Sequence, residues 1–318
     1  MPPREPGVNL RVAALAGGTG AAKLLRGLMR VVDPAGVTVI GNTGDDAEVW
    51  GLHVSPDLDT VTYALGGALD VARGWGLAGE TFHCLDAMAT LGGETWFNLG
   101  DRDLATHLVR TRALRAGQAL SAVTAELARR QGVTARILPM SDEPVRTRIE
   151  TPDGWLDFQE YFVRDKAQPA VRAVAYVGAE RARPAPGVLE AIRDADVVMI
   201  CPSNPVTSVG PILAVPGVVD TLSHTHASVI GVSPIVGGAP VSGPAGALMR
   251  ARGLEVSPAG VAAAYAPWLS TLVIDARDRA AEPALAARGV RSVVAETLMT
   301  DRASEVALAR AVIGVAIS

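Results

Sequence analysis

Residues 10–41, LRVAALAGGTGAAKLLRGLMRVVDPAGVTVIG, constrain the fold more than any other part of the chain. A short apolar run ends abruptly in GGTG. A helical pattern follows at once, with Leu24, Leu25, Leu28, Val31 and Val32 on one broad face. A second apolar run, VTVIG, completes a strand–glycine turn–helix–strand order, which opens a parallel α/β sheet. The rest of the chain fits that opening. Residues 58–132 read as mainly helical, and DLATHLVRTRALRAG and SAVTAELARRQG each end at glycine. TARILPM, VRTRIET, WLDFQEYFV and VRAVAYV read as strands of a local antiparallel portion. Strand–helix alternation then resumes with DVVMIC, SVIGVS, LVID and VRSVVAE, and a terminal helix starts near 303. The expected architecture is one α/β domain over 1–318. Its Rossmann-like parallel core, with helices on both faces, spans about 10–57 and 178–318, and a helical plus antiparallel insertion covers about 58–177.

Composition limits what such a domain can bind. The 318 residues are 49% hydrophobic and carry a net charge of −4, which gives no general attraction for nucleic acid or anionic lipid. An anionic ligand must be held locally. No apolar run reaches the length of a bilayer span or precedes the first strand as a leader, so a cytoplasmic protein is expected. Cys84 and Cys201, each in an apolar setting without CxxC spacing, read as two buried thiols.

Four stretches carry candidate chemistry. In AGGTGAAK the glycines Gly17, Gly18 and Gly20, with Thr19, let backbone N–H groups approach a phosphate at a helix N-terminus, with Lys23 one turn on. The spacing is not that of a P-loop, and Lys23 and Asn42 stand where a dinucleotide fingerprint needs a glycine and an acid. In NTGDDAEVWGLHVSPDLDT, Asp45, Asp46, Glu48, Asp57 and Asp59 occur without a Lys or Arg among them. The stretch reads either as a solvated loop or as hard oxygen ligands for Mg²⁺ or Ca²⁺ shared with substrate phosphates. Asp57 and Asp59 are also placed to N-cap the helix DTVTYALGGAL. CPSNPVTSVGPIL supplies Ser203, Asn204, Thr207 and Ser208 on a proline-stiffened loop after a buried strand, suited to anion binding or to capping the next helix. SPIVGGAPVSGPAG is a further glycine- and proline-rich turn. Arg102, His107 and Arg110 could reach an anion from their helix or decorate its face. No GxSxG occurs, so covalent hydrolysis is not indicated.

Together, AGGTGAAK, NTGDD, SPDLDTVTYALGG, GDRDLATHLVRT, LPMSDEPV, CPSNPVTSVGPIL and SPIVGGAPVSGPAG resemble the CofD (FbiA) family of coenzyme F420 biosynthesis. The resemblance implies a Mg²⁺-dependent transferase with a Rossmann-like core, working as a homodimer. Such enzymes move a phosphorylated three-carbon acid from a guanosine diphosphate-linked donor to the ribityl hydroxyl of the deazaflavin Fo, releasing GMP. The acid is 2-phospholactate in archaeal members and phosphoenolpyruvate in mycobacterial ones. Carried onto this chain, Gly17, Gly18, Thr19, Gly20 and Lys23 would face the donor phosphates, and Ser203, Asn204 and Ser208 the guanosine diphosphate. Asp59 would contact Fo, as would Asn98, where the family often has a basic residue. Asp45, Asp46 and Asp59 are the implied metal ligands, with Asp45 and Asp59 also catalytic. The nearest alternative is a YvcK-like nucleotide-sugar-binding regulator, whose acidic loop continues into a glycine- and serine-rich run instead of AEVWGLHVSPDLDT.

Overall fold

The computed structural model describes residues 10–317. Seven strands form one parallel sheet: β1 (Val12–Ala16), β2 (Val37–Gly41), β3 (Arg136–Pro139), β4 (Val197–Ile200), β5 (Ser228–Val232), β6 (Thr271–Asp275) and β7 (Arg291–Ala295). Their order across the sheet is 7-6-5-4-1-2-3. The chain winds outward from β1 through β2 to β3. It then returns to the other side of β1 as β4 and winds outward again. The crevice beyond the carboxyl ends of β1 and β4 is therefore the topological switch point, where open α/β sheets take their ligands.

The alternation of side chains along a strand explains the apolar runs. Val12, Ala14 and Ala16 face one layer of helices, while Ala13 and Leu15 face the other. With both faces covered, nearly every strand residue must be apolar. On the first face lie α1 (Gly18–Leu28), α2 (Pro56–Leu65), α4 (Leu120–Arg130) and the terminal α5 (Arg302–Ile317). Gly27 is obligatory there, since a Cβ would approach the backbone of Val306 to within 3.0 Å. The antiparallel portion is a three-stranded sheet of Arg146–Thr151, Gly154–Asp157 and Ala173–Val177.

Three expectations need correction. In WLDFQEYFV the strand ends at Asp157, and Glu160–Arg164 is a helical turn. TARILPM does not join the antiparallel sheet; β3 pairs parallel to β2, with Thr38 opposite Arg136 and Gly41 opposite Pro139. After exposed Arg136 its residues are continuously buried, as a strand covered on both faces requires, and helix α4 lies over it. Cys84 is exposed, because the helix His83–Thr90 that carries it buries none of its residues; Cys201 is buried as expected, and both thiols are free. No single helix among the described residues is long and apolar enough to cross a membrane.

Candidate active site

The site is built where β1 gives way to α1. Gly18 has φ +74°, a conformation open mainly to glycine. A Cβ on Gly17 would come 2.6 Å from an Asp57 oxygen and 2.7 Å from the Ser208 Cβ, and one on Gly20 would come 2.5 Å from the Pro202 carbonyl. The glycines thus let two other loops close on the turn. Ser203 after β4 donates its hydroxyl to the Gly17 carbonyl at 2.8 Å. Asp57 accepts the Gly18 N–H at 2.7 Å, and its other oxygen accepts from Asn42 at 2.9 Å. Asp57 therefore caps α1 and not the helix on which it sits, contrary to the sequence expectation; the α2 N-cap is Ser55, with no side-chain cap bond. The Asn42 amide also donates to the Thr207 carbonyl at 3.1 Å, while its oxygen accepts from Gly44 at 2.8 Å. One side chain at the end of β2 thus ties three loops together.

Asp45 and Asp46 follow at once. The stretch after them is a hairpin, Ala47–Val49 with Leu52–Val54, turned by Trp50 (φ 53°) and Gly51 (φ 73°). Two consecutive positive φ values make the tight two-residue turn that matches strand twist. The hairpin brings His53 back beside Asp46, whose Oδ2 lies 2.9 Å from His53 Nε2 and accepts the Ser55 hydroxyl at 2.8 Å. Asp45, Asp46 and Asp57 are all buried. The Oδ1 atoms of Asp45 and Asp46 have no hydrogen-bond partner, and neither has the hydroxyl of nearby Thr147. Burial, reinforced by the Asp57 and Asp46 charges, holds the Asp45 carboxyl well above the usual range. Burial likewise pushes Asp57 up to about 6 against the bonds from Asn42 and Gly18, with Asp46 adding to the rise. A cleft of about 180 Å³ opens beside Thr43, Asp46 and His53, with Asp142, Glu143 and Arg146 on its far wall. A larger cleft, about 290 Å³, lies between α4 and β3 away from these groups and is mostly apolar.

The remaining predicted residues separate. Ser208 is buried against Gly17. Asn204 uses its side-chain oxygen to cap the following helical turn, accepting from Val206 at 2.9 Å, so the capping alternative accounts for it. Lys23 donates to the Met299 carbonyl at 3.0 Å. Asn98 is exposed in the loop before α3 (Asp101–Arg115). Asp59 does not join the carboxylate cluster: Arg110 on α3 takes both its oxygens, at 2.9 Å for Nη1 to Oδ2. With both its oxygens engaged by a buried guanidinium, Asp59 stands apart from Asp45 and Asp46, and its contacts do not favour the metal role expected of it.

Among the described residues, no group of three or more His, Cys, Asp or Glu is arranged to hold a metal ion. Mg²⁺ commonly takes only one or two protein carboxylates and fills its shell with water and substrate phosphate. The unpartnered oxygens of Asp45 and Asp46 offer that donor set, and the carboxylates of Asp57 and Asp46 beside Asp45 add negative charge that a cation would balance. These oxygens fit Mg²⁺. The sequence reading passed over Ser55 and Thr147. Thr147 was legible in the alternation of VRTRIET, which turns it inward with Val145 and Ile149. Ser55 had no comparable signal, because only the hairpin brings it to Asp46.

Fold and site together define a Rossmann-like α/β protein with a glycine turn at a helix N-terminus and buried carboxylates at its switch point. The profile of 2-phospho-L-lactate transferase CofD matches residues 12–311, and the chain belongs to that transferase family. A phosphoenolpyruvate transferase of Streptomyces griseus is 47% identical over 307 residues, covering 95% of this chain and 96% of that one. A 2-phospho-L-lactate transferase of Methanosarcina acetivorans is 46% identical over 300 residues, covering 94% and 97%. The fold is shared with a crystal structure of a UPF0052 family protein from Bacillus halodurans, with TM-score 0.68, 18% identity and coverage of 96% and 99%. The family assignment does not favour the nucleotide-sugar-binding regulator.

Proposed function

We propose that this transferase moves a phosphorylated three-carbon acid, phosphoenolpyruvate or 2-phospholactate, from a guanosine diphosphate-linked donor to the ribityl hydroxyl of Fo in coenzyme F420 biosynthesis. The observation that carries the reading is the pair of buried, unpartnered oxygens of Asp45 and Asp46 beside the glycine turn. Isolated buried carboxylates are costly unless something completes them. A metal-bound diphosphate is the ligand that would do so at a helix N-terminus.

In this reading the Fo hydroxyl oxygen bonds to the phosphorus that carries the acid. The bond from that phosphorus to the bridging oxygen breaks, GMP leaves, and the hydroxyl proton is released to solvent. Mg²⁺ bound by Asp45 and Asp46 supplies neutralisation of the diphosphate charge. The N–H groups of Thr19 and Gly20 face the leaving phosphate at the start of α1, while Ser203 and Ser208 hold the loops that flank it. Asp59 meets the acceptor and Asn98 lies at the rim of its approach. Ordering donor and alcohol in line accounts for much of the rate, since the chemistry needs little covalent help. A homodimer in the cytoplasm belongs to the same reading, and sedimentation tests the first of these.

The experiment is a mass-spectrometric assay with protein, Fo, Mg²⁺ and each guanylylated donor in turn, with EDTA as control. A metal-dependent Fo adduct with one donor is expected and names the acid. No adduct with any donor, together with no Fo binding, overturns the reading.

A further inference from the structure

The helices α2 and α3 meet across a surface that is polar where it should be apolar. Asp59 and Tyr63 stand four apart on α2; Asp103, His107 and Arg110 stand four and then three apart on α3, so each set shares one face. All five side chains are buried, Tyr63, His107 and Arg110 at no more than 2% exposure. Arg110 holds both oxygens of Asp59 in a two-pronged contact. Its Nη1 also lies 3.3 Å from His107 Nδ1. A guanidinium can only donate, so Nδ1 accepts and the ring proton sits on Nε2, 3.4 Å from Asp103 Oδ1. The Tyr63 hydroxyl donates to the same Asp103. From α3 the network reaches the hairpin as well, through the His53 N–H donated to the Thr111 hydroxyl at 2.7 Å.

Apolar side chains of similar size would hold two helices together at least as well as a buried ion pair. What they would not do is fix a carboxylate plane. We propose that Arg110, steadied by His107, is a positioning residue for the transfer. It sets Asp59 as a hydrogen-bond acceptor for the alcohol substrate and, through α2, sets Asp57 against Gly18. The inference rests on the reading above, in which Asp59 meets the acceptor. Each carboxylate oxygen has two acceptor positions, so Asp59 can receive a hydroxyl while paired with Arg110. Lysine at 110 would keep the charge and lose the fork.

The test compares wild type, Arg110→Lys and the double variant Asp59→Asn/Arg110→Met, which removes the buried charges together and guards against a merely unfolded single variant. With wild type active and all three folded, Arg110→Lys lowers kcat on the order of 100-fold while KM for the guanylylated donor stays within about threefold, as expected for misplacement by about 1 Å. The double variant is equally slow although folded. A double variant with wild-type kcat overturns the proposal, because a purely structural pair could be replaced. Amide exchange needs no substrate and separates this proposal from the reaction itself. Faster exchange at Gly18 and in the first turn of α2 in Arg110→Lys supports the positioning role even if wild type forms no adduct. Unchanged exchange overturns it.

Discussion

Two buried acidic regions lie less than one helix turn apart in sequence and behave in opposite ways. At the glycine turn, Asp45, Asp46 and Asp57 crowd together, and the outer oxygens of the first two have no partner. Between α2 and α3, Asp59 and Asp103 are matched by Arg110, His107 and Tyr63. The Asp103 carboxyl lies below the usual range even though burial alone would raise it, because His107, Tyr63 and Arg110 favour its charge. The Asp45 carboxyl is held well above that range. Burial is common to both regions, so burial is not what separates them. The difference is compensation: each carboxylate of the second region faces a donor within the chain, its orphaned atoms being the nitrogens Arg110 Nε and His107 Nε2, whereas the first leaves two carboxylate oxygens unmet. Asp57 and Asp59 belong to different regions because two residues along a helix turn the side chain by roughly 200°.

The largest effects should come from removing one charge on each side. Asp59→Asn removes the carboxylate that buried Arg110 grips at both oxygens, and a loss of about 3–5 kcal/mol in unfolding free energy is expected. Asp45→Asn relieves like-charge repulsion, so the ligand-free protein should melt at a higher temperature while kcat falls on the order of 100- to 1000-fold. Chemical denaturation of the first variant, and calorimetry with turnover of the second, check both signs. If both variants lose stability alike, the contrast between the regions is wrong.

That contrast was only half visible in the sequence. The parallel core was legible because strand–glycine–helix–strand order and near-continuous apolar strands leave few alternatives. The position of the acidic stretch at a carboxyl edge followed from the same order. The division of labour among its carboxylates did not follow, because it depends on a partner more than fifty residues away. Arg110 looked like one of several charges that either reach an anion or decorate a helix face, and nothing local says that it points inward. The turn at Trp50–Gly51 had a faint signal, a glycine in the second place of a two-residue loop. The bulky residue before it hid that signal, since positive φ is unusual for tryptophan.

A smaller effect sharpens the comparison through pH. Asp57 titrates at about 6 in the fold against 3.8 for a free side chain. Its folded value is raised, so the stability it contributes is fully present below 3.8 and is lost as pH rises through about 6. By linkage the loss has an upper bound of about 3 kcal/mol at neutral pH. Asp57→Asn cannot titrate, so its stability relative to wild type should climb between pH 4 and pH 7. Glu143, held down to about 2 by Arg183, titrates below this window. A wild-type-minus-variant difference that stays flat from pH 4 to pH 7 would show that the cluster is compensated after all. Mg²⁺ with GDP should reduce the slope, since a bound cation favours the charged form.

The smallest effect concerns Lys23, which the resemblance assigns to the donor phosphates. Its ammonium instead meets the Met299 carbonyl, in the segment between β7 and α5. It is the sixth residue of α1, about one turn beyond the glycine turn. By the rule drawn from the two acidic regions, a charge already matched within the chain holds structure together. Lys23→Met keeps the aliphatic stem packed and deletes one hydrogen bond at a half-buried site, so a loss of about 1 kcal/mol is expected. GDP affinity in Mg²⁺, read by titration calorimetry, should change by less than about threefold, since the phosphates would be met by backbone N–H groups and metal. A tenfold weaker GDP complex would mean that Lys23 leaves Met299 when nucleotide arrives. Compensation in the ligand-free chain would then not identify a structural charge, and Arg110 would need the same scrutiny with substrate bound.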